Sequence, residues 1–311
     1  MMKLSSVKLS VVPTTFSRAI IFSFLLASYL PFTAHAQDDD VIRVNTDLVV
    51  MNVTVTDARG AYVHGLKESD FKVYEDSQQQ IIASFSVEET PFAAAILLDT
   101  SGSMEGRMSL ARAAAIRFLE GLRSDDVAAV YRFDSRVEQV QDFSASRDLA
   151  PVAYNLRANG QTSLNDAVAR AARDLSRREE KRRAIIVLSD GADTHSALTQ
   201  DKALAAALAA GATVYTVDMY DPQISIDRRQ PATAALRNFV SKSGGRYVAS
   251  PGGQAMRDAF TGIMSELSNQ YTVGYQPSNR ARDGRWRTIK VQLSQNSHTV
   301  RTRSGYRAPK S

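Results

Sequence analysis

From Val41 to Val55 the residues are largely β-branched and alternate in character (Ile42, Val44, Leu48, Val50, Asn52, Thr54), which predicts a half-buried strand. Asp57-Ala58-Arg59-Gly60 supplies turn chemistry, and Phe71-Lys72-Val73-Tyr74 with Ile81 to Val87 continues the strand pattern. At Pro91 the pattern changes to strand and helix in alternation: Phe92–Leu98, a helix near 109–122, Val127–Phe133, a helix near 163–178, then Ala184–Leu188. The runs Ile185-Ile186-Val187-Leu188 and Val214-Tyr215-Thr216-Val217 are nearly continuous in apolar character, as expected where helices cover both faces of a parallel sheet. Further helices fit 199–210, 231–242, with Pro231 in a first turn, and 253–269, with Met256, Phe260, Ile263, Met264 and Leu267 at helical spacing.

After Gln270 the pattern is β-like again: Tyr271–Tyr275, Trp286–Leu293 and Thr299–Thr302, with a polar loop from Pro277 to Gly284. The fold class that follows is α/β, a doubly wound, mostly parallel sheet flanked by β-rich segments. The expected organisation is a leader over 1–36, a β-rich segment over 37–90, the α/β domain over 91–269 and a second β-rich segment over 270–311. Each flank is short of the strands an independent sheet needs, which favours one composite sandwich with the α/β domain inserted between its halves. Two separate small modules are the alternative.

The first stretch departs from globular grammar. Lys3, Lys8 and Arg18 precede an apolar run from Ala19 to Leu30, and Ala34-His35-Ala36 offers small residues at a cleavage site. This predicts a secretory signal peptide cut before Gln37, hence an exported protein, periplasmic or secreted. The apolar run is about half the roughly 20 residues a bilayer crossing needs, which argues against a membrane anchor. With no cysteine in the chain, neither a disulfide framework nor lipid attachment at a cysteine is available. Loss of 1–36 removes three of the 38 Lys and Arg and none of the 33 Asp and Glu, so the formal charge falls from +5 to +2. Such a balance gives little reason to expect nucleic acid as a partner. The tail carries Arg280, Arg282, Arg285, Arg287, Lys290, Arg301, Arg303 and Arg307, a pattern that fits a solvated sheet face or an attraction for anionic polymers.

Three polar motifs stand at the ends of apolar strands or in a connecting loop. Ala95-Ile96-Leu97-Leu98 runs into Asp99-Thr100-Ser101-Gly102-Ser103, a D-x-S-x-S pattern; Thr162 follows Gly160-Gln161 just ahead of a helix; and Leu188-Ser189-Asp190-Gly191 closes the next strand. Ligands of open α/β sheets collect outside the carboxyl ends of strands, so Asp99, Ser101, Ser103, Thr162 and Asp190 are expected to converge there. Hydroxyl and carboxylate oxygens without His or Cys suit a hard cation, Mg²⁺ foremost, with Mn²⁺ or Ca²⁺ as alternatives, and disfavour zinc. Asp166 is a candidate for a further residue around the site, but an acid in the first turn of a helix is favoured by the helix dipole in any case, and that reading is preferred. Asp193 and His195, on the loop beyond Asp190, read as solvated residues near a possible rim.

Over roughly 91–269 this constellation resembles the von Willebrand factor A family, whose metal-ion-dependent adhesion site combines D-x-S-x-S, a threonine from a later loop and an aspartate after a central strand. That resemblance implies direct coordination by Ser101 and Ser103, contributions from Asp99 and Asp190 mainly through water or hydrogen bonds, and Thr162 bound directly or through water. It also implies an open position for an Asp or Glu carboxylate of a protein partner, and so an adhesion or assembly module. The flanks, in Val53-Thr54-Val55-Thr56-Asp57-Ala58-Arg59-Gly60, in the stretch Leu66 to Asp76 and in Gly305-Tyr306-Arg307-Ala308-Pro309, resemble an exported bacterial family called VWFA-related, found especially in Acidobacteria.

Enzymatic readings find little support. The segment after residue 36 has only His64, His195 and His298, no cysteine and no G-x-S-x-G elbow, and neither a P-loop nor a dinucleotide-binding glycine turn occurs. Asp99 as a phosphoryl acceptor would lack the neighbouring acid such sites use, since Ser101 stands there. The sequence therefore predicts a non-enzymatic protein. The competing expectation is a structural envelope protein whose metal only stabilises loops.

Overall fold

A computed structural model describes residues 48–310 except 88–89, 192, 221–222, 224, 250–252, 296 and the side chain of residue 228. The expected signal peptide, and the start of the first expected strand at 41–47, lie outside the described residues.

The centre of the fold is a six-stranded sheet built from β5 (Phe92–Asp99), β6 (Val127–Phe133), β7 (Val137–Ser144), β8 (Arg182–Ser189), β9 (Ala212–Asp218) and β10 (Tyr247–Ala249) in the order β10-β9-β8-β5-β6-β7. All neighbours are parallel except β7, an antiparallel edge on β6. Every residue of β5 is buried because alternate side chains enter different cores. Phe92, Ala94, Ile96 and Leu98 pack with α1 (Met108–Glu120) and α5 (Gly253–Ser268) on one face, through Phe118, Phe260 and Ile263. Ala93, Ala95 and Leu97 pack with α2 (Leu164–Leu175), α3 (Gln200–Ala209) and α4 (Ile226–Ser243) on the other, through Val168, Leu208 and Phe239. The sheet is therefore the doubly wound, mostly parallel one that the continuous apolar strands predict.

The flanks interleave. β1 (Val49–Thr56), β2 (Phe71–Glu75), β3 (Gln78–Gln80) and β4 (Ile82–Ser86) precede the parallel sheet; β11 (Tyr271–Tyr275), β12 (Trp286–Leu293), β13 (Thr299–Arg301) and β14 (Gly305–Arg307) follow it. They form two antiparallel four-stranded sheets, β13-β1-β11-β4 and β14-β12-β2-β3, each mixing strands from both flanks. One core joins the two sheets, with Val53, Val73, Tyr271, Val273 and Ile289 at its heart, and the rings of Phe71, Phe85 and Tyr271 lie 5.3–5.9 Å apart in pairs. This is the composite sandwich, and neither flank could bury its apolar face alone.

A buried polar seam ties sandwich to parallel sheet. Glu266 on α5, 1% exposed, accepts from Tyr215 of β9 at 2.9 Å and Thr54 of β1 at 3.4 Å and pairs with Arg301 of β13. At the same seam the chain passes so close to β9 that a Cβ on Gly245 would stand 1.9 Å from the Val214 carbonyl oxygen.

One helix boundary needs correction. Pro231 does not open its helix: α4 begins at Ile226, which places Pro231 in the second turn. Arg229, stacked 3.9 Å over the Tyr220 ring, anchors the added turn, and the helix tolerates the missing Pro231 N–H because only one intrahelical bond is lost. Four strands, β3, β7, β10 and β14, were not expected from the sequence. Among the described residues no helix is long and apolar enough to cross a membrane.

Candidate metal centre

The parallel register pairs Leu98 of β5 with Leu188 of β8, so Asp99 and Ser189 leave the sheet side by side at its carboxyl edge. The Ser189 hydroxyl donates to Asp99 Oδ2 at 2.5 Å, while the backbone N–H of Ser101 donates to Asp99 Oδ1 at 2.8 Å. Ser189 Oγ also accepts from Gly191 N–H at 2.9 Å, closing the turn that presents Asp190. Glycine is required in that turn: Gly191 has φ +82°, and a Cβ there would meet the Ala232 carbonyl oxygen at 2.7 Å.

Beyond Asp99 the chain turns through Ser101, 1% exposed, to the exposed Ser103, whose hydroxyl lies 3.1 Å from that of Ser101. The third loop is stitched to this turn by backbone alone: Gly102 N–H donates to the Gly160 carbonyl at 3.1 Å and Asn159 N–H to the Thr100 carbonyl at 2.8 Å. Thr162, two residues on and buried, is held from the other side by Thr194, whose hydroxyl accepts from Thr162 N–H at 3.0 Å and whose N–H donates to the Thr162 carbonyl at 2.9 Å. The three motifs are thereby gathered at one edge of the sheet.

The electrostatics of this edge are unbalanced. Burial pushes the Asp99 carboxyl up to about 6, against the lowering effect of its hydrogen bonds from Ser101 and Ser189, and the charge of Asp190 adds to the rise. Among the described residues Asp190 Oδ1 is buried with no hydrogen-bond partner, and Asp190 Oδ2 has the Arg107 guanidinium at 3.9 Å as its ion pair. A further buried acid, Asp218 at the end of β9, is raised chiefly by desolvation while Tyr247 and Thr233 hydrogen-bond to it. An orphaned buried carboxylate oxygen beside a second buried carboxylate and a pair of hydroxyls is a set that a cation would satisfy. Among the described residues no three His, Cys, Asp or Glu side chains converge, so the available donors are hydroxyls with two carboxylates, the chemistry of a hard ion.

Residues 94–192 match the von Willebrand factor type A domain. The matched segment runs from β5 through Gly191 and includes all five candidate ligands. Among solved structures, the chain is similar to a von Willebrand factor type A protein from Catenulispora acidiphila, at 13% identity over 78% of this chain and 74% of that one, with a TM-score of 0.49. It is similar also to the vWF domain of the type V pili tip protein Mfa5 from Porphyromonas gingivalis, at 15% identity over 57% of this chain and 95% of that one, TM-score 0.48. The PilB minor pilin from Streptococcus sanguinis gives 15% identity over 58% of this chain and a TM-score of 0.46, the similarity spanning 62% of the pilin. No curated protein sequence matches.

Two residues that bear on the candidate site were not singled out by sequence. Ser189 was visible as a polar residue ending an apolar strand, but its bond to Asp99 depends on the β5–β8 register. Arg107, whose guanidinium also donates to the Met219 carbonyl at 3.0 Å, had no local signal. The neighbouring acids have other duties. Asp166 accepts from Ala197 and Leu198 N–H, each at 2.9 Å, and Asp193 accepts from Asn165 N–H at 2.8 Å and the Ser196 hydroxyl at 2.6 Å. Asp193 is thus a pin between its loop and the start of α2 and is not simply solvated, while His195 is exposed.

Proposed function

We propose that the protein is an exported, non-enzymatic adhesion or assembly module that binds a carboxylate of a protein partner through a divalent cation. Asp99, Ser101, Ser103, Thr162 and Asp190 would hold the ion, Mg²⁺ first in order of preference. The observation that carries this reading is the buried, unpartnered Asp190 Oδ1 beside the raised Asp99 carboxyl. The match of residues 94–192 to the A-type domain and the apolar leader with its small-residue cleavage site support it.

When bound, the ion supplies an electrophilic centre to which a partner's Asp or Glu oxygen can be attached. This chain's own contribution is positional. Ser189 and the Ser101 N–H orient the Asp99 carboxylate, Gly191 permits the turn that presents Asp190, and the backbone bonds from Gly102 and Thr100 to the 159–160 loop bring Thr162 towards the edge. Ser103 and the exposed loop around it leave the edge open to a macromolecule.

Titration of Mg²⁺ and Mn²⁺ into the EDTA-stripped protein by calorimetry tests the reading, alongside an Asp99→Ala plus Ser101→Ala double variant whose fold is checked by circular dichroism. Saturable binding that the double variant loses is the expected result. No binding by the native protein, in heat or in melting temperature, would overturn it.

A further inference from the structure

The basic tail is not one solvated face. Arg301 pairs with Glu266 and the buried Arg287 with Asp283, so these two charges are spent within the fold, while the exposed Arg285 only reaches the same Asp283 at 3.8 Å. Others turn toward a cleft of about 560 Å³ between the sandwich and the α3 side of the parallel sheet, within the size range of small-molecule sites. Lys181, Arg183, Arg280, Arg282, Arg303 and Arg307 line it, and no Asp or Glu is among its lining residues. Six cations around one concavity repel one another unless an anion joins them.

Arg303 makes the cleft a built site. It is 8% exposed, its guanidinium donates to the Leu208 carbonyl at 3.0 Å, and its Nε is buried with no hydrogen-bond partner among the described residues. Among the described residues it has no carboxylate partner; the neighbouring Tyr275 and Tyr306 hydroxyls are neutral, and the Tyr306 ring centroid lies 5.8 Å from the guanidinium carbon. Both of those hydroxyls donate to Glu75, at 2.6 and 2.9 Å, so that carboxylate is already engaged. Burial lowers the Arg303 guanidinium to about 10, the mark of a cation held out of water without a counter-charge. Arg183, by contrast, has each of its three nitrogens engaged by a backbone carbonyl, of Glu180, Ala210 and Arg178, and contributes mainly its field.

We infer that this cleft binds a small, multiply charged anion, one carrying several phosphate or carboxylate groups, with Arg303 at its floor and Arg280 and Arg282 at its mouth. The guanidinium fork matches the paired oxygens of either group. The buried Leu208 of α3 lines the cleft beside Arg303, and apolar lining of this kind lowers the local dielectric and strengthens an ionic contact. This site is independent of the metal centre and stands or falls without it.

The test is calorimetric titration of the full chain in metal-free buffer at about 150 mM NaCl, where exposed charges are screened beyond a Debye length of about 8 Å. Inorganic tripolyphosphate and tricarballylate are the two probes. One-to-one saturable binding of at least one is expected, the preferred probe naming phosphate or carboxylate as the cognate group. Arg303→Met should weaken it about tenfold or more, and Arg280→Ser with Arg282→Ser about threefold to tenfold. Should Arg303→Met fail to fold, the exposed pair alone decides. Absence of saturable binding by both probes, or affinity unchanged in the folded variants, would overturn the inference. So would an oligonucleotide that binds with steep salt dependence and that neither probe displaces.

Discussion

Ser189 holds Asp99 by a 2.5 Å hydrogen bond across the junction of two parallel strands, linking residues 90 positions apart in the chain. The same hydroxyl accepts from Gly191 N–H, so one oxygen fixes both the first carboxylate of the candidate site and the turn that carries the second. Ser189→Ala removes a hydrogen bond to a buried charged group and leaves Gly191 N–H without its acceptor. A loss of about 2–3 kcal/mol of stability is expected in denaturant unfolding of the metal-free protein, with cation affinity reduced about tenfold or more. Unchanged affinity would show that Asp99 does not need this orientation to act.

Asp190 should behave in the opposite sense. Its Oδ1 is buried and unsatisfied, so Asp190→Ala relieves a desolvated group and is expected to leave metal-free stability unchanged or slightly raised, while abolishing cation binding. Thermal unfolding with EDTA, then with Mg²⁺, separates the two effects. A marked loss of metal-free stability would mean that Asp190 serves the fold and not the ion.

Cation addition should stabilise the native protein by linkage. At a free concentration a hundred times Kd the gain is about 2.7 kcal/mol, which for a domain of this size corresponds to roughly 5–10 °C in Tm. Calorimetric scans with and without EDTA measure it, and a Tm indifferent to the ion would remove the metal from the account.

The seam between sandwich and parallel sheet depends on Glu266. Glu266→Ala leaves Arg301 without its partner carboxylate and strips Tyr215 and Thr54 of their acceptor, for an expected cost of about 3–5 kcal/mol. Urea unfolding followed by both circular dichroism and Tyr and Trp fluorescence provides the check. A cost under about 1 kcal/mol, the level of a surface pair, would show the seam to be weak.

Gly245 and Gly211 form a matched pair of probes. A Cβ on Gly245 would collide with the Val214 carbonyl, so Gly245→Ala should cost more than about 2 kcal/mol through backbone displacement. Gly211 has φ +67° but open space around it, so Gly211→Ala should cost only the roughly 1–2 kcal/mol of a left-handed conformation. Equal Tm losses would contradict the close approach of the chain to β9.

The amino-acid sequence by itself determined the parallel sheet and the motifs at its edge. Alternate residues of Phe92–Asp99 must enter two different cores, and a run apolar on both parities can satisfy only a sheet covered on both faces. D-x-S-x-S and Asp190 follow such strands, so their placement at the carboxyl edge was legible from local pattern, whereas Thr162 was placed by its position in a loop just ahead of a helix. The strands β3, β7, β10 and β14 were not legible: three-residue segments, and a β7 of mixed polarity, become strands because a neighbour offers an open edge. Tertiary structure alone decided which strands of the two flanks pair. Tyr275 meets Glu75 across 200 residues and Gln270 meets Thr54 across 216, and periodicity encodes which face is buried without saying against what. It also decided that Arg303, in sequence one basic residue among eight, is the buried floor of a cleft: α3 and the sandwich close around it from opposite sides, leaving its charge uncompensated by any neighbour along the chain.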